Sequence, residues 1–182
     1  EGLSTMALVV LLRGVNVGGH RRFRPKALAE QLKHYGAVNV GATGTFVIRR
    51  PVTRSRLRAE IARRLPFDAE IIICDGREIL SLLAQDGFAD ESLAPDTVRF
   101  VSVLSRRPRS IPTMPIRFPA TGQWLVKVLA VDKRFVFGVY RRHMQVISYL
   151  GALDRVFRAP VTTRNWNTIR AIARIVRPRR LS

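Results

Sequence analysis

Apolar runs and helical periodicity alternate along the first half of the chain. Residues 6–12 are consecutive apolar positions and predict a buried strand, which the glycines of the following loop end. Pro25 suits the first position of a helix, where its missing N–H has no helical partner to lose. That helix carries apolar side chains on one face and ends at a glycine: Leu28, Leu32, Tyr35 and Gly36. The chain therefore opens with a strand, a loop and a helix.

More strands and a second helix follow. Residues 46–48 predict a strand that Pro51 ends, and residues 69–74 predict a buried strand that contains the single cysteine, Cys74. Between them, Thr53 can cap a helix with an apolar residue at every fourth position: Leu57, Ile61 and Leu65. The order of elements, β-α-β-(β)-α-β, is the ferredoxin-like succession.

The second half repeats an α+β pattern without detectable sequence repetition. In order, it predicts a strand, an extended connection with four prolines, and the two strands of a hairpin: residues 97–104, 106–119, 124–131 and 135–140. A last helix begins near Trp166, with apolar residues on one face and arginines on the other. We predict an α+β fold in two domains, residues 6–90 and residues 91–182.

Composition adds a strong positive charge. The 182 residues are 47% apolar with 12 glycines and 10 prolines, which excludes collagen-like, disulfide-rich and disordered classes. Against 13 acidic residues stand 32 basic ones, and the net charge of +19 favours nucleic acid, anionic membrane surfaces or phosphorylated ligands. All but four of the basic residues are arginines scattered along the chain, as GC-rich codon usage also produces. The charge alone therefore does not predict specific nucleic-acid recognition.

The loop between the first strand and the first helix is one candidate site. It reads Arg13-Gly14-Val15-Asn16-Val17-Gly18-Gly19 and is called the 13–19 loop below. Its backbone amides and the helix that follows can meet an anion. Its glycine spacing matches neither the dinucleotide-binding motif nor a P-loop. A sharp turn with glycines at positive φ explains the same residues, so the turn and the ligand site stay alternatives.

A second candidate site lies near the C-terminus. Thr162-Thr163-Arg164-Asn165-Trp166-Asn167-Thr168, called the 162–168 segment below, places six polar side chains around one tryptophan at the predicted start of the last helix. Donors and acceptors at a helix start are typical of a site that holds a polar or anionic ligand. Capping of the helix by Thr163 or Asn165 is the alternative, but it leaves Arg164, Asn167 and Thr168 unassigned.

The remaining residues assign no catalytic mechanism. His20, His34 and His143 lie far apart, without metal-ligand spacing, and Cys74 in an apolar strand is typical of a core residue. No nucleophile elbow or paired-carboxylate signature occurs in the sequence. We predict no cofactor and no metal ion. Whether the protein is an enzyme stays open.

The sequence also bears on location. The apolar run at residues 6–12 is too short to span a bilayer and is followed at once by Arg13. A chain with one cysteine cannot form an internal disulfide. We predict a cytoplasmic protein with no membrane partner, and the sequence does not predict its oligomeric state.

Together, the two polar segments resemble the bacterial family catalogued as domain of unknown function sixteen ninety-seven. Its members carry Arg-Gly-Ile-Asn-Val-Gly-Gly after the first strand and Thr-Thr-Arg-Asn-Trp-Asn-Thr before a late helix. The resemblance implies two tandem ferredoxin-like units with antiparallel sheets and helices packed on them, and it implies no activity. Thr43-Gly44-Thr45 departs from the family's Ser-Gly-Asn, which puts a ligand contact at Thr45 in doubt.

Three functional hypotheses follow. The first is a site for a small anionic or polar ligand, such as a phosphorylated one, between the 13–19 loop and the 162–168 segment. Its residues are Arg13, Gly14, Asn16, Gly18, Gly19, Thr163, Arg164, Asn165 and Asn167. The second is nonspecific nucleic-acid binding, although the strands lack an aromatic-rich RNA-binding pattern. The third is a structural lock between the two units, with no ligand.

Overall fold

The computed structural model describes residues 6–14, 23–85, 87–88 and 94–177 of the 182-residue chain. These residues form two compact units. The first unit comprises the described residues as far as Ala84 and those from Arg170 onward, and the second unit is Gln85–Ile169. The chain therefore leaves the first unit and later returns to it. The predicted domain boundary at residue 90 stays a prediction.

The first unit contains a four-stranded antiparallel sheet. Its elements in chain order are β1 (Leu8–Arg13), α1 (Pro25–Gln31), β2 (Ala37–Val40), β3 (Thr45–Ile48), α2 (Arg54–Arg64), β4 (Glu70–Asp75) and α3 (Gly76–Ala84). The strands lie in the order β2-β3-β1-β4. From β1 to β4, the chain follows the β-α-β-β-α-β order of elements that the sequence predicts.

Local sequence determines where these helices begin and end. Pro25 is the first residue of α1, and a single 3-10 turn, Lys33–Tyr35, continues it as far as Gly36. Gly36 has a φ of 65°, a left-handed conformation that favours glycine and that ends the helical segment as predicted. Thr53 caps α2, because its hydroxyl oxygen accepts a hydrogen bond of 3.3 Å from the backbone N–H of Arg56.

Both faces of β1 are buried. Leu8, Val10 and Leu12 share one face of β1 and belong to a core cluster that includes residues of α1 and α2, among them Leu28 and Leu57. The residues of β1 that alternate with them, Val9 and Leu11, are fully buried as well. A strand with both faces covered is apolar at every position, which is why residues 6–12 show no alternation.

The second unit contains a five-stranded antiparallel sheet. Its elements are β5 (Thr97–Leu104), β6 (Ile116–Phe118), β7 (Val126–Asp132), β8 (Phe135–Arg141), α4 (Val146–Phe157) and β9 (Val161–Asn165). A last helix, α5 (Trp166–Val176), begins here, and its residues from Arg170 belong to the first unit. The strand order is β6-β7-β8-β5-β9, and α4 packs on one face of the sheet through Leu153 and Phe157.

Four strands of this sheet repeat the arrangement of the first one. The order β7-β8-β5-β9 corresponds to β2-β3-β1-β4, and every neighbouring pair is antiparallel in both sheets. The second unit differs between its first two matched strands, where residues 105–125 form a connection that contains β6 instead of a helix. The fold is therefore a mixed α+β fold with two antiparallel sheets.

Several sequence predictions need correction. The extended connection predicted at residues 106–119 contains a short strand that the sequence did not single out, because β6 pairs with β7. The sequence interpretation missed α4. Ile147 is an apolar residue on the outer face of this helix and is 80% exposed, so apolar positions do not mark only the buried face. Thr163 is not a helix cap. It lies within β9, because pairing with β5 continues as far as Asn165.

Candidate functional site

The 162–168 segment crosses from a strand to a helix. Its first four residues lie in β9, an edge strand of the second sheet, and its last three open α5. In the pairing of β9 with β5, Thr163 lies opposite Ser102, and Arg164 lies opposite Val101. Because side chains alternate along a strand, Thr162 and Arg164 share one face, and Thr163 faces the other way.

The threonines of the segment bond to neighbours within the second unit. Thr163 Oγ1 lies 2.6 Å from Ser102 Oγ, a cross-strand hydroxyl pair on the face that carries α4. Thr162 Oγ1 accepts a hydrogen bond of 2.7 Å from Arg164 Nη1. Ser102 was missed from the sequence, although a serine between the apolar residues of a predicted strand is a signal that could have singled it out.

Arg164 is a buried cation. Only 6% of its surface is exposed, and its Nη1 also donates a hydrogen bond of 2.9 Å to the backbone carbonyl of Thr163. Burial penalises the charged form and lowers the pKa of the Arg164 guanidinium to about 10. The side chain therefore stays positively charged at neutral pH, in surroundings where charge is poorly screened.

The helix start presents two asparagines. Asn165 caps α5, because its Oδ1 accepts hydrogen bonds from the backbone N–H of Thr168 at 2.8 Å and from its hydroxyl at 3.0 Å. Asn167 is exposed, and no residue in the described part of the chain makes a hydrogen bond to its side chain. Trp166 anchors the start, with its ring centroid 5.1 Å from that of Phe88. Capping therefore explains Asn165 and Thr168, and it leaves Asn167 unassigned.

The other candidate residues lie in the first unit. Arg13 ends β1 opposite Glu70, and Gly14 follows with a φ of 81°, as expected for a glycine turn. The remaining candidates of the 13–19 loop, Asn16, Gly18 and Gly19, lie outside the described residues. Thr45 is fully buried in β3. Thr163, Arg164, Asn165 and Asn167 are close in sequence, but the Thr163 side chain faces the opposite side of the sheet from Arg164. The association of the segment with Arg13 stays a prediction.

Comparison with known proteins gives a family without an assigned activity. The family model described as "Protein of unknown function (DUF1697)" matches residues 6–122, which is more than half of the chain. The chain belongs to this family. The matched residues include the 13–19 loop and end before the 162–168 segment. A comparison with curated proteins finds no match.

A solved structure has a similar fold. It is described as the conserved bacterial protein SP0830 from Streptococcus pneumoniae. The two chains are 14% identical, the match covers 94% of this chain and 99% of the other, and the TM-score is 0.58. At that identity the likeness concerns the fold alone, and it extends over both units. In the described part of the chain, every helix is too short or too polar to cross a membrane.

Proposed function

We propose that this protein binds a small anionic or polar ligand, such as a phosphorylated metabolite, at the 162–168 segment. Arg164 would supply charge, and Asn165 and Asn167 would supply directional hydrogen bonds. The observation that carries the proposal is the burial of a positively charged Arg164 directly before a helix start that presents an exposed asparagine.

A buried guanidinium is costly to the fold. Removing a cation from water is unfavourable, and an apolar side chain of similar size is often at least as stabilising at such a position. Ionisable groups that are held in costly surroundings are enriched at functional sites. The two hydrogen bonds from Nη1 hold the guanidinium against the edge strand, which supports a fixed cation rather than a solvated surface charge.

The start of α5 complements this cation. Backbone N–H groups in the first turn of a helix attract anions, and α5 has 11 residues. The Asn165 Oδ1 atom is occupied by Thr168, while its Nδ2 atom makes no hydrogen bond within the described residues. The Asn167 amide is likewise available. Neutral donors and a cation within one short segment suit a ligand that combines negative charge with polar groups.

A screen for thermal stabilisation tests this proposal. A ligand at about 100 times its dissociation constant stabilises its protein by about 2.7 kcal/mol, which corresponds to roughly 5 to 10 °C in Tm for a chain of this size. We expect a phosphorylated metabolite or nucleotide to produce such a shift and Arg164→Gln to abolish it. Arg170→Gln is the matched control, because Arg170 is an exposed arginine of the same helix region.

Two results would contradict the proposal. One is a broad metabolite screen without any shift. The other is a shift that survives in Arg164→Gln. If Arg164→Gln lowers Tm and no ligand effect exists to be lost, the structural alternative is favoured instead.

The 13–19 loop is proposed to contribute to the same ligand. Arg13 would add a second charge, and the backbone at Gly14, Asn16, Gly18 and Gly19 would allow close approach. A double-mutant cycle of Arg13→Gln and Arg164→Gln on ligand affinity tests this contribution. A coupling energy clearly above about 0.5 kcal/mol is expected for residues that share a ligand. Strict additivity of the two effects on ligand affinity would show that the loop does not contribute to this site.

We also propose that each of the two units has a ferredoxin-like fold. A separate proposal is that the protein is cytoplasmic. The matched strand orders of the two sheets support the first proposal. An experimentally determined structure of the protein tests it, because each unit should then show the β-α-β-β-α-β order of elements or a clear departure from it. Cell fractionation tests the second proposal.

A further inference from the structure

A cavity of about 520 Å³ lies in the first unit, between the start of α1 and the turn that joins β2 to β3. This α1 cavity is lined by residues 23–27 and by Asn39, Gly41 and Ala42. Its lining is mostly apolar, and it is open to solvent. Ligand cavities in proteins commonly have about 300 to 1,000 Å³ and an apolar lining with a few polar groups. The size and the lining therefore suit a small organic molecule rather than a single ion.

Contacts within the first unit hold the walls of the α1 cavity in place. The Phe23 ring makes edge-to-face contacts with the rings of Phe46 and Phe67, at centroid distances of 6.4 and 6.5 Å. In the turn after β2, Asn39 Nδ2 donates a hydrogen bond of 2.9 Å to the Gly41 carbonyl oxygen. A methyl group added at Gly41 would meet no described atom within 4 Å, so open space adjoins this turn. The walls are thus formed without a ligand, which lowers the ordering cost of binding.

Two cationic residues belong to the lining of the α1 cavity. Arg24 and Lys26 are exposed, and neither side chain makes a hydrogen bond, an ion pair or a ring contact with a described residue. Glu30 lies one helical turn beyond Lys26, a spacing at which opposite charges can pair. It pairs instead with Lys33, at 2.6 Å between Oε1 and Nζ. Both cations are therefore available to an anion that enters from solvent.

An apolar cavity with cations on its lining fits a ligand that combines an apolar body with one anionic group. An aromatic body would gain about 25 cal/mol for each Å² of apolar surface that it buries against the lining. A carboxylate at the edge of that body would accept charge-assisted hydrogen bonds from Arg24 and Lys26. An inorganic anion has no apolar surface to bury, so the lining would contribute nothing to its binding.

We propose that the α1 cavity binds a small aromatic carboxylate. Phe23, Pro25 and Ala42 contact its ring, and Arg24 and Lys26 bind its carboxylate group. The cavity shares no lining residue with the 162–168 segment or with the 13–19 loop. The proposal therefore goes beyond the function proposed above and does not depend on it.

A variant that fills the cavity tests the binding of the ring. Naphthoate would be titrated into the 182-residue chain by calorimetry at about 0.15 M salt, where the charges of distant surface residues are screened. We expect saturable binding with one site per chain. Ala27→Leu adds an apolar side chain to the cavity lining and should weaken binding about fivefold or more, because it occupies space that the ring needs. Wild-type affinity in Ala27→Leu, or no saturable binding to the wild type, would overturn the proposal.

Ala59→Leu is the matched control for this variant. Ala59 is an exposed alanine of α2 that does not line the cavity, so wild-type affinity for naphthoate is expected. Equal weakening in Ala27→Leu and Ala59→Leu would contradict binding at the cavity. If Ala27→Leu does not fold, Ala42→Leu takes its place, because Ala42 is an exposed lining residue outside the helix. The same weakening is expected there, and wild-type affinity would overturn the proposal.

Arg24→Gln with Lys26→Gln tests the binding of the carboxylate. Arg24 is the N-cap residue of α1 but makes no side-chain capping hydrogen bond, so its substitution removes no cap. The wild type should bind naphthoate about fivefold more tightly than neutral naphthamide, because only the carboxylate pairs with the two cations. The double variant should lose this preference and keep its affinity for naphthamide. An unchanged preference for naphthoate would overturn the proposal.

Arg107→Gln with Arg109→Gln is the control for net charge. Both residues are exposed and lie outside the cavity lining, and the two substitutions lower the net charge by the same amount. The wild-type preference for naphthoate over naphthamide is expected in this control. Loss of the preference in both double variants would show that net charge rather than the cavity attracts the carboxylate, and it would overturn the proposal.

Discussion

At the scale of single residues, burial of the Arg164 guanidinium has a cost to the stability of the fold. Its guanidinium is buried against β9, and burial alone lowers its pKa to about 10. Lowering the pKa of this guanidinium from its ordinary value to about 10 corresponds to a desolvation cost on the order of 3 kcal/mol. The two hydrogen bonds from Nη1, to Thr162 Oγ1 and to the Thr163 carbonyl, offset part of this cost. Buried ionic groups can often be replaced by apolar side chains of similar volume without loss of stability.

The substitution Arg164→Met removes the desolvation cost of the guanidinium together with its hydrogen bonds. We expect the free energy of unfolding to change by no more than about 1 kcal/mol near pH 8, or roughly 2 to 4 °C in Tm. Calorimetric melting of both proteins checks this expectation. A loss of more than about 10 °C would show that Arg164 holds the fold together, as the structural alternative requires.

The same variant has a predicted pH dependence. Because the folded-state pKa of Arg164 is lowered, the unfolded chain binds more protons than the native chain above about pH 10. The contribution of Arg164 to stability therefore rises with pH from about 10 towards the unfolded-state pKa. The Tm of the wild type should improve relative to that of Arg164→Met between about pH 9 and pH 10.5. A difference that stays constant over this range would contradict the lowered pKa.

At the scale of elements, the sequence pattern predicted those strands and helices that depend mainly on residues close to them in the chain. The first strand, both early helices and the hairpin of β7 and β8 follow from apolar runs, caps and turn residues. The β9 strand does not, because Val161–Asn165 is mostly polar and becomes a strand only by pairing with β5. The cross-strand partner of Thr163 was missed for the same reason. Long-range pairing is not encoded in a short window of sequence.

Two glycines test the packing of individual elements. A side chain at Gly138 of β8 would clash with the ring of Phe100 and would lie 2.7 Å from the Lys127 carbonyl oxygen. Gly138→Ala should therefore destabilise the protein by about 1 to 3 kcal/mol. Gly151 of α4 has open space around the corresponding position. Gly151→Ala should stabilise the protein by about 0.5 to 1 kcal/mol, because alanine favours helix.

Chemical denaturation measures both glycine variants under the same conditions. The opposite signs are the informative result, since each variant adds one methyl group. A Gly138→Ala protein as stable as the wild type would contradict the register of β5 and β8.

At the scale of the whole molecule, the net charge of +19 predicts weak binding to any polyanion at low salt. Affinity for random duplex DNA should fall with a slope of about 0.9 in log-log units per phosphate contact. We expect this binding to vanish near physiological salt, because the basic residues are scattered. The slope should decrease when exposed arginines of α5, Arg170 and Arg174, are both changed to glutamine.

Fluorescence anisotropy with labelled DNA of two unrelated sequences measures this slope. Binding that persists at about 0.15 M salt and prefers one sequence would favour the nucleic-acid hypothesis over a small ligand. Equal, salt-sensitive binding of both sequences would assign the net charge to nonspecific attraction. In that case Arg164 would still be distinguished from the exposed arginines, because burial rather than net charge sets its chemistry.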